Sequence, residues 1–247
     1  MLVLKKRSIY VIAVITVSLL VCVFSLSALK NVNGNEDNLS LKVVLDAGHG
    51  GIDNGVSGIT TGVKESELNL AVVKKLKACY ENAGIKVILT RTDSNGLYGV
   101  YSQGSFKRRD MKNRVKVIEK VNPDLIISVH MNNFSSSSRR GAQVFYSGEN
   151  EKSITLAKSI QQSLNSMEES VKKTSALKGD YYILNAHNYV GCIVECGFLS
   201  NPEDEKLLTS NEYQEKIAYA IFKGSIDYLT KVTSYGEDGL CHKDIAI

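Results

Sequence analysis

Two of the four histidines in the chain follow directly on apolar, strand-like segments. His49 comes after the segment 42–46, in a run of glycines, and His130 follows the β-branched segment 124–129. A single histidine in such a place is more often a hydrogen-bonded structural residue than a ligand. The carboxyl ends of parallel strands, however, meet at one edge of a sheet. The pair therefore predicts two imidazoles in one crevice.

Glu65 completes a candidate ligand set with these histidines. An acidic residue at the start of a helix ordinarily stabilises the helix dipole, so its position alone predicts no ligand. The glycine-rich loop 48–62, however, can fold back and bring this carboxylate beside His49. Two imidazoles and one carboxylate are a common ligand set of catalytic Zn²⁺, with a fourth position open for water. Glu67 is the rival carboxylate, although residues two apart on a helix face different ways.

A carboxylate is also predicted at the end of a buried strand. Glu195 closes the apolar run 191–194, where a carboxylate is costly unless it is paired or functional. It is therefore the best candidate for a catalytic base. Alternation along the strand places Cys192, Val194 and Cys196 on the opposite face, so both thiols are expected to pack in the core and not to bind metal.

The sequence does not decide the roles of four further polar residues. Arg114 and Asp46 could orient the ligand side chains, although charged residues near a helix and a strand end are as often solvated. His187 is a candidate for the wall of the cleft. His242 lies in the polar C-terminal segment and has no predicted role.

The elements that must position these residues alternate between strands and helices. Short apolar segments separated by helical periodicity predict crossover connections and a mainly parallel, twisted sheet with helices on both faces. The predicted fold class is therefore α/β, as a single three-layer domain. The predicted strands are 42–46, 85–89, 124–129, 141–146 and 192–195, and the predicted helices are 65–84, 111–121, 151–164, one opening at 201–202, and 212–229.

An uncharged apolar run, 9–29, follows three basic residues near the N-terminus. It is about as long as a bilayer core requires at roughly 1.5 Å per residue. We favour a retained membrane anchor over a cleaved signal peptide, because cleavable signals generally have shorter apolar cores and the exit at 25–28 is only a fair match to a cleavage site. The basic residues precede the run, so the positive-inside rule places the body outside the cytoplasmic membrane.

The composition argues against a nucleic-acid-binding protein. The chain has 30 basic and 26 acidic residues, and most of the excess lies in the N-terminal cluster 5–7. A near-neutral body argues against a nucleic-acid-binding domain, which would usually carry a basic face. The five cysteines also suggest no disulfide framework, because Cys192 and Cys196 lie four apart in an extended segment, which separates their Cα atoms by roughly 13 Å. Buried free thiols are expected.

Five ordered blocks of sequence carry a family resemblance. They are LDAGHGG (45–51), KE followed by LNL (64–70), VILTR (87–91), SVHMN (128–132) and VECGFLSN (194–201). Together they make the stretch 43–229 resemble the zinc-dependent N-acetylmuramoyl-L-alanine amidases of the amidase 3 type, which cut peptidoglycan. By that resemblance His49, Glu65 and His130 match the metal-ligand positions and Glu195 matches the catalytic glutamate. Prolines common in the family are replaced at 47 and 190, which concerns loop rigidity.

The resemblance implies Zn²⁺-dependent hydrolysis of the amide bond between N-acetylmuramic acid and L-alanine. The segments 94–98 and 107–110, behind an N-terminal anchor, are most similar to germination-specific amidases of spore formers. This implies removal of stem peptides from spore cortex peptidoglycan, functionally coupled to a muramic acid deacetylase that then produces muramic-δ-lactam. A zinc hydrolase cutting within the stem peptide and a catalytically idle wall-binding protein remain the alternatives.

This interpretation divides the chain into four parts and places it outside the cytoplasm. The expected location is extracytoplasmic, membrane-anchored or secreted, at the developing spore cortex. The sequence contains no wall-binding repeat, so an accessory protein partner is expected. The parts are a signal or membrane anchor at 1–29, a flexible linker at 30–40, the zinc amidase catalytic domain at 41–230 and a polar tail at 231–247.

Overall fold

The computed structural model of the protein describes residues 41–99, 105–148 and 150–234. The strands are β1 (Lys42–Ala47), β2 (Lys86–Leu89), β3 (Leu125–Asn132), β4 (Gln143–Tyr146), β5 (Leu177–Lys178) and β6 (Gly191–Phe198). The helices are α1 (Glu65–Asn82), α2 (Phe106–Val121), α3 (Glu151–Asn165), α4 (Tyr182–Asn185), α5 (Pro202–Leu208) and α6 (Asn211–Ser234). Among these residues no helix is long and apolar enough to cross a membrane. The predicted anchor and linker lie outside the described residues.

The six strands form one sheet in the order β2-β1-β3-β6-β4-β5. Strands β2, β1, β3 and β6 are mutually parallel, whereas β4 runs antiparallel to β6 and β5 is parallel to β4. The reversal occurs because the connection 133–142 from β3 to β4 contains no helix and so makes no crossover. The predicted mainly parallel α/β sheet is confirmed.

Helices cover both faces of the sheet, so the predicted three layers are confirmed. The strands alternate in the direction of their side chains, with Val43 and Leu45 in the larger core and Val44 in the smaller one. Helices α1, α3 and α6 close the larger core, and α2 with the short α4 closes the smaller one. Buried apolar residues of the larger core include Leu68, Leu76, Leu156, Ile160, Ile217 and Ile221.

Several elements differ in extent from their predicted bounds. Helix α2 begins at Phe106, five residues before the predicted start, because Ser105 accepts a hydrogen bond from the backbone N–H of Arg108 and caps a charged first turn that lacks apolar periodicity. Strand β5 and helix α4 are too short to show a period and were not predicted. Helix α6 continues to Ser234 and so includes the first four residues of the predicted tail.

Strands β3 and β6 both continue past their predicted ends. Their parallel pairing runs through His130 opposite Glu195, and a register shift follows before Asn132 pairs with Phe198. Pairing across the sheet thus extends both strands beyond their apolar segments. The predicted histidine and the predicted base therefore lie within neighbouring strands, at the carboxyl edge.

Candidate metal centre

The loop after β1 holds His49 in an unusual backbone conformation. Its φ is 60°, in the left-handed region that residues other than glycine rarely adopt. The preceding residue must be glycine, because a Cβ at Gly48 would lie 2.1 Å from Cε1 of His130. The missing side chain lets the rings of His49 and His130 approach to 5.0 Å between centroids. Such local strain is common at functional sites.

The three side chains predicted as metal ligands lie together. His130 Nδ1 is 2.9 Å and His49 Nε2 is 3.2 Å from the same oxygen, Oε1 of Glu65. One donor atom from each residue lies within 4.8 Å of the others. The rival Glu67 is exposed and faces Lys64 at 4.0 Å. The cluster could hold a metal ion, and the role of its members as ligands stays a prediction.

The donor set and its spacing suit Zn²⁺. Zinc bonds of about 2.1 Å at tetrahedral angles separate ligand atoms by about 3.4 Å. The separations of Glu65 Oε1 from the two imidazole nitrogens, 2.9 and 3.2 Å, are close to that distance. Nitrogen and carboxylate donors are also the types that zinc takes in catalytic sites. The donor types and these separations therefore fit a zinc ion.

Glu65 is fixed by hydrogen bonds to both of its carboxylate oxygens. Oε2 accepts from the backbone N–H of Val56 at 2.9 Å, and Oε1 accepts from the backbone N–H of Met131 at 3.2 Å. The side-chain amide of Asn69, one helical turn further on, donates to Oε1 at 3.3 Å. Burial alone would raise the pKa of Glu65, but the bonds from His130 and His49 hold that pKa well below its ordinary value. The group is thus kept ionised.

Asp53 lies behind His49, and the sequence analysis assigned it no role. Its Oδ2 is 3.0 Å from Nδ1 of His49, on the side of the ring opposite the cluster, and Lys107 Nζ lies 3.5 Å from Oδ1. A carboxylate behind a ligating imidazole fixes the tautomer and the direction of the ring. Burial would lower the pKa of His49, but Glu65 and Asp53 raise it. The sequence feature that could have indicated this role is the position of Asp53, a carboxylate four residues after the candidate ligand His49.

The charged pair Arg114 and Asp46, left open from the sequence, is buried and not solvated. Each is 1% exposed, and Arg114 Nη1 donates to Asp46 Oδ1 at 2.6 Å. Arg114 also donates to Asp110 Oδ2 and to the backbone carbonyl of His49, both at 2.5 Å. Burial would raise the pKa of Asp46, but Arg114 and two hydroxyl donors lower it to about 2. The pair therefore holds the backbone of the loop after β1 at His49.

A second buried arginine holds the same loop. Arg91 Nε donates to the carbonyl of Ala47 at 2.9 Å, and its Nη2 donates to the carbonyls of Gly48 at 2.9 Å and Ser66 at 2.8 Å. These bonds tie the β1 loop to the start of α1. The strand-end motif that contains Arg91 marked the family resemblance, but its function as a clamp depends on contacts that are distant in sequence.

Glu195 lies beside His130 at the carboxyl edge of the sheet. The two are register partners in neighbouring strands, so their side chains project from the same face. Oε2 of Glu195 is buried and has no hydrogen-bond partner among the described residues. Burial raises the pKa of Glu195 to about 7. On the opposite face Cys192 and Cys196 are free thiols buried in the larger core, as predicted.

His187 is not part of this cluster. It lies beside Tyr189 and lines a cavity of about 270 Å³ together with Gly191, at the amino end of β6. Glu195 is four residues further along that strand, a distance of roughly 13 Å. The interpretation of His187 as part of the cleft wall is therefore wrong, and His242 lies outside the described residues.

The chain matches known amidases over nearly all of its described length. The family model for N-acetylmuramoyl-L-alanine amidase of the amidase 3 type matches residues 43–227. The germination-specific N-acetylmuramoyl-L-alanine amidase of Bacillus subtilis is 35% identical over 197 residues, which are 78% of this chain and 82% of that protein. AmiA of Escherichia coli, an N-acetylmuramoyl-L-alanine amidase, is 27% identical over 75% of each chain.

Solved structures agree with this relationship. The CwlD amidase of Clostridioides difficile, solved in complex with the GerS lipoprotein, is 38% identical and superposes with a TM-score of 0.74 over 78% of this chain and 100% of that one. The amidase AmiC2 of Nostoc punctiforme is 28% identical, with a TM-score of 0.66 over 77% and 97% of the two chains. The resemblance found in the five sequence blocks is thus confirmed, and this chain belongs to the N-acetylmuramoyl-L-alanine amidase family.

Proposed function

We propose that the protein is a zinc-dependent hydrolase that cleaves the amide bond between N-acetylmuramic acid and L-alanine in peptidoglycan. The observation that carries this proposal is the grouping of His49, Glu65 and His130 in a chain of the amidase family. Beside this group lies Glu195, whose buried Oε2 has no hydrogen-bond partner in the described part of the chain. His49, Glu65 and His130 are proposed as the ligands. Glu195 is proposed as the catalytic residue.

Each side chain has a distinct part in the proposed reaction. A Zn²⁺ ion held by the three ligands would supply a Lewis acid for the amide carbonyl and for the attacking water. Glu195 accepts the proton of that water and then donates it to the departing L-alanine nitrogen. Burial raises the pKa of Glu195 above its ordinary value, which favours its use as a carrier that first accepts and then returns a proton. Asp53 keeps His49 directed at the site.

Substitution of the base and of one ligand tests these assignments. Glu195→Gln keeps the shape of the side chain and is expected to retain about one zinc per chain while losing roughly 10²- to 10⁴-fold in turnover of purified peptidoglycan. His130→Ala is expected to lose both metal and turnover, because two ligands remain. Glu67→Gln, an exposed carboxylate two residues from Glu65, is the matched control. Wild-type turnover by Glu195→Gln would contradict the assignment of Glu195 as the catalytic base.

Mass spectrometry of the products distinguishes the proposed amidase from the two alternative functions. The proposed amidase releases intact stem peptides that begin with alanine and leaves unsubstituted glycan. A zinc hydrolase that cuts within the stem would release shorter peptides and leave alanine on the glycan. A wall-binding protein without activity would sediment with peptidoglycan and release no peptide.

The proposed substrate is spore cortex peptidoglycan, with removal of stem peptides as a step toward the muramic-δ-lactam needed for germination. The support is the similarity to the B. subtilis germination-specific amidase. The product is glycan whose N-acetylmuramic acid residues carry a free lactyl carboxyl group, and a muramic acid deacetylase can then act on these residues. Spores that lack this chain are expected to contain no muramic-δ-lactam, and a gene that carries Glu195→Gln should not restore it. Normal lactam levels in those spores would contradict the cortex assignment.

We further propose an extracytoplasmic location, membrane-anchored through residues 1–29, and an accessory protein partner. The relative from C. difficile was solved in complex with a lipoprotein, which supports the expectation of a partner. Fractionation of sporulating cells, with affinity capture of the full chain, tests both points. Recovery in the cytoplasmic fraction, or of the bait alone, would count against them.

A further inference from the structure

A basic groove lies at the same edge of the sheet as the candidate metal centre. One wall is the connection from β3 to β4 and the other is the segment that follows α3. The groove has a volume of about 540 Å³, which is within the range of roughly 300–1,000 Å³ for ligand pockets. Its described lining includes Arg139, Arg140 and Lys172 and no carboxylate.

The groove is adjacent to the strand position of Glu195. Gln143 lines it and is the register partner of Glu195 across β4 and β6. Phe198, three residues beyond Glu195 on β6, lines it as well. Neighbouring strands are about 4.8 Å apart, and an extended peptide advances about 3.4 Å per residue. A peptide that leaves the metal centre in this direction therefore enters the groove within a few residues.

The positive charge of the groove is available to a ligand. Arg139 and Lys172 are exposed, and Arg139 lies 4.2 Å above the ring of Phe134, which orients its guanidinium. Arg140 is the member that pairs with a carboxylate, Asp204 Oδ1 at 3.3 Å. The other oxygen of Asp204 accepts backbone N–H groups, including that of Gly141 at 2.7 Å, so this carboxylate helps to build the groove wall.

We propose that this groove binds the stem peptide of the substrate through its free carboxylates, with Arg139 and Lys172 as the contacting residues. The inference rests on the proposed amidase function, in which the scissile amide lies at the metal centre and the peptide continues away from it. The glycan carries no free carboxylate once muramic acid is amide-linked, whereas the residues after L-alanine do. Charge complementarity therefore assigns the groove to the peptide and not to the sugar chain.

Two soluble substrates separate this role from a structural one. Both are muramyl tripeptides, one with free carboxylates on the second and third residues and one with these carboxylates amidated. For the free-acid substrate, Arg139→Gln and Lys172→Gln are each expected to raise KM by about two- to fivefold, with kcat unchanged, as for exposed charge pairs. For the amidated substrate both variants should match wild type. Lys74→Gln, an exposed lysine midway along α1, is the control.

The possible outcomes each decide one question. Wild-type KM of both variants on the free-acid substrate, or an equal rise on both substrates, would overturn the groove assignment while leaving the amidase function intact. Release of no peptide by the zinc-loaded wild type would overturn the function itself. Calorimetric titration of the free tripeptide into wild type and Arg139→Gln measures binding to the groove without turnover. Equal affinities of the two proteins would refute the groove assignment independently of the kinetics.

Discussion

Glu65 is the residue on which the other side chains of the site converge. One of its oxygens faces both histidines, and the other accepts the backbone N–H of Val56 from the glycine-rich loop. A Cβ at Gly55 would lie 2.3 Å from that second oxygen, so glycine is needed for the loop to approach so closely. The loop thus folds back because its backbone can reach a carboxylate at the start of α1.

Asp53 provides a prediction at this scale. Asp53→Asn removes the charge behind His49, so that the ring is less firmly held and less basic as a ligand. Zinc affinity, measured by competition with a chelator, is expected to fall by roughly 10- to 100-fold, while the far-ultraviolet circular dichroism stays unchanged. Glu67→Gln should keep wild-type affinity. If Asp53→Asn binds zinc as tightly as wild type, the carboxylate has no supporting role.

At the scale of elements, helices α3 and α6 approach each other closely at a single glycine. A Cβ on Gly224 would lie 2.5 Å from Cα of Ile160 and 2.9 Å from the carbonyl oxygen of Ser159, which are backbone atoms that cannot move aside independently. Gly224 therefore sets the distance between two helices that close the larger core. Its low helix propensity is offset by the packing that its missing side chain permits.

Gly224→Ala tests this contact. Alanine would gain about 0.5–1 kcal/mol in helix propensity but would push the helices apart, at a cost of about 1–3 kcal/mol. We expect a net loss in the free energy of unfolding, measured by urea denaturation. Lys223→Ala, at the exposed neighbouring position, should change it by less than about 0.5 kcal/mol. Equal or greater stability of Gly224→Ala would mean that the helices can adjust.

For the molecule as a whole, the buried ion pair of Asp46 and Arg114 makes the free energy of unfolding depend on pH in the acidic range. The folded-state pKa of Asp46 is lowered from 3.8 to about 2. The unfolded chain therefore binds the proton more readily, and the contribution of Asp46 is fully present above about pH 4. It is lost as the pH falls from about 4 toward 2. The shift corresponds to roughly 2 kcal/mol.

Comparison with Asp46→Asn isolates this contribution from that of other carboxylates. At pH 7 the variant leaves Arg114 with one buried carboxylate fewer, so its free energy of unfolding is expected to be roughly 3–5 kcal/mol below that of wild type. This difference should narrow by about 2 kcal/mol between pH 4 and pH 2. Denaturant curves across that range measure it, and a constant difference would contradict the assignment.

Much of the fold and the core of the site follow from local features of the sequence. Strands and helices were recognisable because apolar periodicity is a property of a few neighbouring residues. His49 and His130 were recognisable because each follows an apolar strand segment, and parallel strands end at one edge. The extension of β3 and β6 was not recognisable, since it results from pairing between chain segments about 65 residues apart.

By itself, the sequence determined the α/β class, the family and the set of ligand-type side chains that meet at the sheet edge. Only the tertiary structure decided that Asp53 stands behind His49, that Arg114 is buried under the loop, and that His187 lies at the opposite end of β6. The reason is physical. Residue type and periodicity act locally, whereas burial, charge pairing and the shape of the basic groove arise only when distant segments pack together.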